Sequence, residues 1–276
     1  MARNANTANS SALPPDIRVM NGVALLLVLG VVLLGFSFGL AWLMRQPAFN
    51  LRSLSVEGDV SRNSLATLRA NALPRLAGNF LTMNLQQARA AFEAVPWVRH
   101  ATVQRVWPMR LRVQLEEHRA AALWEQKAEG ADAGSEASVD RQLVNSFGEV
   151  FQANLGDVED ELLPTLSGPA GASAQMFAMW QRLDANSRAA LDESIERLDL
   201  SWRGSWRITL EKGSVVELGR GTDTEVAQRF AQYTGTVTQV ASRFHTEVES
   251  ADLRHSDGYA LKLRGVGTEV KTTKKR

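Results

Sequence analysis

The chain contains no cysteine. Disulfides, thiolate zinc sites, iron–sulfur clusters and a cysteine nucleophile are therefore excluded. It also has almost no net charge: 31 Lys and Arg against 30 Asp and Glu give +1. No global field draws it toward nucleic acid or acidic ligands. G-x-S-x-G, H-E-x-x-H, G-x-G-x-x-G and a Gly-rich phosphate loop ending in Gly-Lys are all missing from its 276 residues, so the common motif-bearing enzyme classes have no foothold. No repeat of fixed period is visible. What the chain does have is apolar material, 45% of its residues, which is enough for one large domain or two ordinary ones.

Charge is missing in one further place. From Val19 to Met44, between Arg18 and Arg45, no residue is charged. A helix of about 20 apolar residues crosses a hydrocarbon core of about 30 Å, so this run spans it with some tilt. Trp42 falls near the distal end, where an indole suits the membrane interface. Gly35 and Gly39 form a G-x-x-x-G pair. That pair suits close approach of another helix, though ordinary membrane-helix composition explains it more simply. A cleaved signal peptide has a shorter apolar region and a small-residue cleavage site. Arg45-Gln46-Pro47-Ala48-Phe49 is a poor one, so the segment reads as a retained anchor. Arg3 and Arg18 precede it and Arg45, Arg52 and Arg62 follow it. The positive-inside count does not choose an orientation.

The organisation expected is a polar tail over 1–18, a transmembrane helix over 19–44, a first folded block over 49–125, a second over 142–265 and a basic tail over 266–276. Lys127–Arg141, small, polar and acidic, reads as a linker or surface loop. In the first block Leu54 and Val56 alternate with polar residues as in a strand. Ser64 and Asn84 are candidate caps for two short helices. Val98–Gln104 reads as a strand and Trp107-Pro108 as a turn. Met109, Leu111, Val113 and Leu115 then alternate with Arg110, Arg112, Gln114 and Glu116, the clearest half-buried strand in the chain. The order is β-α-α-β-β. The second block is richer in strands. Leu143-Val144 and Val150-Phe151 flank a hairpin turn. Pro164 sends the strand around Leu162–Leu166 to a sheet edge. Phe177, Trp180 and Leu183 suggest a helix. Ile195–Trp202, Trp206–Glu211 and Val215–Leu218 read as strands. Val226, Phe230, Tyr233, Val237, Val240 and Phe244 mark a long helix. Val248–Arg254 and Tyr259–Arg264 close the block as a hairpin.

Few residues carry candidate chemistry. Leu218-Gly219-Arg220-Gly221 sits between a strand and a helix. It reads as a tight turn with Thr222 or Asp223 as helix cap, with an anion site at that helix start as the alternative. His245 and His255 lie near Glu247, Glu249 and Asp252. On a strand this set mixes both faces, which argues against a metal site. Glu116 and Glu117 are neighbours on a strand and point to opposite faces, so they cannot flank one bond. Arg105, Arg110 and Arg112 with Trp107 read as a solvated strand face, which beside a membrane could also touch lipid headgroups, rather than as a nucleic-acid site.

Several stretches resemble one family. A short tail, one span and then β-α-α-β-β match a POTRA domain beside a single inner-membrane helix. Phe49–Gly58 resembles that domain's first strand, ending in a hydrophobic-x-Gly. Pro96-Trp97-Val98 through Trp107-Pro108, followed by Leu111-Arg112-Val113 and Glu116-Glu117-His118, resembles its PWV…WP hairpin. Leu143-Val144 through Val150-Phe151, Leu163-Pro164-Thr165-Leu166-Ser167-Gly168-Pro169, Trp206–Leu210, Leu218–Gly221 and Asp252-Leu253-Arg254 follow in the family's order. On these residues the chain is identified as a member of the FtsQ/DivIB family of bacterial division proteins, over about residues 18–265.

The resemblance implies an α+β chain: a transmembrane helix, a POTRA domain and a β-rich FtsQ-type domain with flanking helices. It implies an inner-membrane protein with a cytoplasmic N-terminus and periplasmic domains at the division septum. Its role would be that of a non-enzymatic scaffold of the divisome, without cofactor, small-molecule substrate or nucleic acid. The partners would be FtsB and FtsL, the FtsW–FtsI complex and FtsK. A partner strand would add to an edge near the C-terminus, here the Asp257-Gly258 hairpin and Tyr259–Arg264. Position by position, Arg254, His255, Ser256, Gly258 and Leu263 fall in the family's contact region, with Tyr259 and Leu261 on the edge strand and Arg203 on a neighbouring strand. Gamma-proteobacterial relatives often carry Tyr where His255 stands and Trp where Leu263 stands. The competing readings are a POTRA protein of secretion or envelope assembly and a membrane-anchored periplasmic enzyme.

Overall fold

The structure is a computed structural model that describes residues 15–44, 46, 49–58, 61–63, 65–76, 78–130, 141–244, 246–255 and 258–265. The expected tails therefore lie largely or wholly outside the described residues, as do Ser64, His245 and Ser256. The chain forms two compact units. Residues 1–58, 65–92 and 101–115 make the first; 59–64, 93–100 and 116–276 make the second.

The first unit begins with α1 (Pro15–Met44). Its last 26 residues, Val19–Met44, are long and apolar enough to cross a membrane, and none of that span is buried against protein. Apolar side chains exposed on every face suit lipid rather than water. After it come β1 (Ser53–Gly58), α2 (Leu65–Ala72), α3 (Leu85–Glu93), β2 (Val98–Val106) and β3 (Arg110–Glu117). Asn84 starts α3 as expected: its Oδ1 accepts from Gln86 N at 2.9 Å and from Gln87 N at 3.3 Å, satisfying two donors of the first turn. The three strands form a sheet in the order β1-β3-β2, with β1 parallel to β3. The alternation read in β3 is real. Leu111, Val113 and Leu115 are buried while Arg110, Arg112 and Gln114 face out.

The second unit is built on a nine-stranded sheet. Its strands are β4 (Ala120–Gln126), β5 (Arg141–Asn145), β6 (Val150–Phe151), β7 (Thr165–Gly168), β8 (Ile195–Leu200), β9 (Trp206–Leu210), β10 (Val215–Gly219), β11 (Val248–Asp252) and β12 (Ala260–Leu263). They lie in the order β12-β11-β10-β9-β8-β7-β4-β5-β6. Helix α4 (Ser173–Leu191) joins β7 to β8, and α5 (Asp223–Phe244) joins β10 to β11. Both strand pairs are parallel, and a parallel pair needs such a crossover. Met176, Phe177 and Leu183 of α4 and Val226, Phe230, Tyr233 and Val237 of α5 share one apolar cluster with Trp124, Leu166, Leu198, Trp206, Ile208, Val216 and Leu218. The helices thus cover one sheet face.

The other face carries charge. Leu198 and Leu200 point to the helices, so Arg197 and Asp199 point away. Lys127 Nζ meets Asp199 Oδ1 at 2.8 Å, both side chains 1% exposed. Arg197 bridges Asp199 at 3.0 Å and Glu125 at 2.7 Å, and Arg141 holds Glu125 at 3.0 Å.

Three expectations change. Lys127, read as the start of a polar linker, is buried in this network; residues 131–140 of that stretch lie outside the described residues. Strand β4 belongs to the large sheet, between β5 and β7, so the first block expected to run to residue 125 ends before it. Pro164 does not mark an edge: β7 lies between β4 and β8. The proline precedes the strand, where its missing N–H costs no ladder bond, and its carbonyl accepts from Leu123 N at 2.8 Å.

Candidate partner-binding edge

Strand β12 ends the nine-stranded sheet. It pairs antiparallel with β11 alone, with Ala260 opposite Asp252, Leu261 opposite Ala251, Lys262 opposite Ser250 and Leu263 opposite Val248. Among the described residues nothing pairs with its outer side. Arg264 N donates to Glu247 O at 2.8 Å. Backbone groups alternate direction along a strand, so the N–H groups of Leu263 and Leu261 point away from β11.

The strand is held firmly from behind. Tyr259, Leu261 and Leu263 are half-buried against the apolar cluster. The Tyr259 ring meets Tyr233 edge-to-face at 5.4 Å, and its hydroxyl lies 2.6 Å from Thr236 Oγ1 on α5. Lys262 pairs with Glu249 across the strands, and Arg264 pairs with Glu247 at 2.8 Å. Thr246 Oγ1 donates to Arg264 O at 2.7 Å. The edge is thus a braced strand with free outer backbone, not a frayed end.

At the start of the hairpin, Arg254 Nε donates to Asp252 Oδ1 at 2.8 Å, and Arg254 N donates to the same oxygen at 3.0 Å. These bonds hold the Asp252 carboxyl down at about 2, so it stays ionised and fixes the guanidinium. The three acids near His255 each hold a cation: Asp252 has Arg254, Glu249 has Lys262 and Glu247 has Arg264. Among the described residues no group of three or more ligating side chains fits a metal ion.

Beside Arg254 opens a cavity of about 640 Å³. Five arginines line it, Arg203, Arg207, Arg220, Arg229 and Arg254, against one carboxylate, Glu217. Arg207 pairs with Glu217 across β9 and β10, and Arg229 of α5 donates to the carbonyls of Leu218 and Arg220. Gly219 lets the walls close. Its φ is +76° and a Cβ there would stand 2.8 Å from Arg254 Cγ. The Leu218–Gly221 turn is followed by the expected Thr222 cap, here a reciprocal one: Thr222 N donates to Glu225 Oε2 at 2.8 Å and Glu225 N to Thr222 Oγ1 at 3.3 Å. A cavity with this charge suits a carboxylate.

The structure therefore brings Arg203 and Arg254 to one cavity and places Leu261 and Leu263 on the edge strand, with Tyr259 just before it and Gly258 and His255 exposed in the hairpin. Arg203 does not sit on a neighbouring strand. It lies in the turn between β8 and β9, which Gly204 closes with its N–H to Ser201 O at 3.0 Å. Arg220 lies in the Leu218–Gly221 turn, for which an anion site was the alternative reading; Arg207, Arg229 and Glu217 were not singled out from the sequence. They come from a strand, a helix and another strand, and no local spacing links them.

Comparison with known proteins shows the family of the chain. Residues 49–118 match the family model described as POTRA domain, FtsQ-type, and residues 135–254 match that of Cell division protein FtsQ/DivIB, C-terminal. The chain belongs to the FtsQ/DivIB family. It is 39% identical over 256 residues to Cell division protein FtsQ of Thiomonas arsenitoxydans, covering 92% of this chain and 90% of that protein. The FtsQ of Burkholderia pseudomallei is 36% identical, with 91% and 94% covered, and that of Bordetella pertussis 34%, with 90% and 92% covered. The family members are division proteins, and the single apolar N-terminal helix is consistent with a membrane anchor.

Proposed function

We propose that the chain is a non-enzymatic scaffold of the divisome, anchored in the inner membrane with its N-terminus in the cytoplasm and its two folded units in the periplasm at the septum. It holds the FtsB–FtsL pair by adding a partner strand to β12 and so helps regulate FtsW–FtsI, with FtsK as a further partner. The observation that carries this reading is the edge itself: a braced strand whose outer side has no partner among the described residues. Such an edge accepts a strand through main-chain bonds, with pockets nearby for selected side chains. The arginine-lined cavity then receives an acidic side chain of the same partner, with Arg254 and Arg203 as its donors. Two substitutions at one position test this. Leu263→Pro removes the outward donor, whereas Leu263→Ala removes side-chain contact and keeps the donor. Binding of the periplasmic FtsB–FtsL pair is expected to be lost in the first and weakened in the second. Equal binding by both variants and the parent contradicts strand addition.

A further inference from the structure

The hairpin tip between β2 and β3 plays no part in the proposed edge, yet it carries a large exposed aromatic ring. Trp107 is 70% exposed and Leu81, on a nearby loop, 42%. Both belong to the unit that contains α1. A chain of short contacts ties them to the helix end. The Asn79 side-chain amide donates to Met44 O. Phe80 N donates to Phe49 O at 2.9 Å, and Arg52 N to Met109 O at 3.0 Å. The Phe80 and Trp107 rings meet edge-to-face at 6.4 Å, and Arg105 Nε donates to Phe80 O at 2.7 Å. The hairpin tip, the 78–83 loop and the segment leaving the helix are therefore one assembly beside the last turn of α1.

The charge of these segments is one-sided. Residues 49–58, 78–92 and 101–115 contain Arg52, Arg89, Arg105, Arg110 and Arg112 against one acid, Glu57, which Arg112 holds at 3.1 Å. Arg52 and Arg110 are exposed beside the tip. An exposed indole set among cations, next to the end of an apolar helix, matches the interfacial zone of a bilayer, where tryptophan sits at headgroup level and arginine meets phosphate.

We infer that this tip is a second membrane contact: Trp107 and Leu81 enter the headgroup region of the leaflet that α1 leaves, and Arg52 and Arg110 face anionic phospholipid. The inference rests on the reading of α1 as a membrane span. It makes the first unit a two-point attachment rather than a domain swinging on one helix.

The lack of native cysteine makes the test clean. Single variants Leu33→Cys, Leu81→Cys and Trp107→Cys of the full chain carry a fluorophore, in nanodiscs containing phosphatidylglycerol. Quenching is read from iodide in water and from lipids brominated near the glycerol. Shielding from iodide at all three positions is expected, with lipid quenching at 81 and 107. Arg110→Glu in the Leu81→Cys background is expected to restore access to iodide. Shielding at 33 with open access at 81 and 107 overturns the contact and leaves the span intact. Open access at 33 overturns the span and this inference with it. Equal shielding in pure phosphatidylcholine overturns the assignment to anionic lipid.

Discussion

The two ends of the nine-stranded sheet are built differently. At one end β6 has only Val150 and Phe151. Its hairpin is closed by Asn145 N to Glu149 O at 3.0 Å, and Arg99 holds Glu149 at 2.7 Å while its guanidinium lies 3.8 Å from the centre of the Phe147 ring. Phe151 is buried, with His118 stacked on it at 4.1 Å. At the other end β12 has four residues, braced from behind, with its outer backbone open. Short length and charge are the usual ways to blunt a sheet edge against unwanted pairing. By length β6 is the more blunted of the two. A scaffold that takes one partner strand needs that asymmetry, because two open edges would let copies of the chain stack on one another.

The largest effect belongs to neither edge and serves as a control for both. Lys127→Met leaves Asp199 with Arg197 alone in a buried site. We expect a loss of about 3 kcal/mol in folding free energy, read by denaturant titration, with binding by the folded fraction unchanged. Next comes the edge contrast. Leu263→Pro abolishes partner binding while Val150→Pro, on β6, leaves it within twofold, a difference readable by calorimetry on folded protein. If Val150→Pro weakened binding as much, the asymmetry would be wrong. Arg254→Ala follows. It strips the cavity of a cation and leaves Asp252 unpaired, and a loss of about tenfold in affinity is expected, about 1.4 kcal/mol.

The smallest effect is pH-dependent and falls on the blunted side. Burial pushes the His118 imidazole below its ordinary value, and Asn145 Nδ2 lies 2.9 Å from its Nδ1. A group whose folded value is depressed contributes stability above its unfolded value, about 6.5, and loses it as pH falls. Between pH 7 and 5 the melting temperature should drop, and His118→Phe should flatten that slope. The carboxyls of Glu149 and Asp252 are held at about 2. They stay ionised across this window.

Much of the fold could be read before it was known, and the parts that could not share a cause. Helix α5 and strand β3 declare themselves because each buries one periodic face, and the residues that do so are neighbours in sequence. Pro164 misled because the rule about proline concerns residues inside a ladder, and one residue decides inside from before. Lys127 misled because a lysine in a polar run looks solvated until Asp199, on β8, is brought against it. The edge at Tyr259–Arg264 came from likeness to a family rather than from periodicity, since an edge is a property of strand order. The arginine cavity was illegible for the same reason. Arg203 and Arg254 lie 51 positions apart in the chain, and only the order of β8 to β11 brings them together.

The most direct test of the account is amide hydrogen exchange of the chain with and without the periplasmic FtsB–FtsL pair. We predict that the amides of Leu261 and Leu263 become strongly protected on binding while those of Val150 and Phe151 do not change. Unchanged exchange at Leu261 and Leu263 in a saturated complex, or protection centred on β6, would contradict the claim that β12 is the edge left open for a partner.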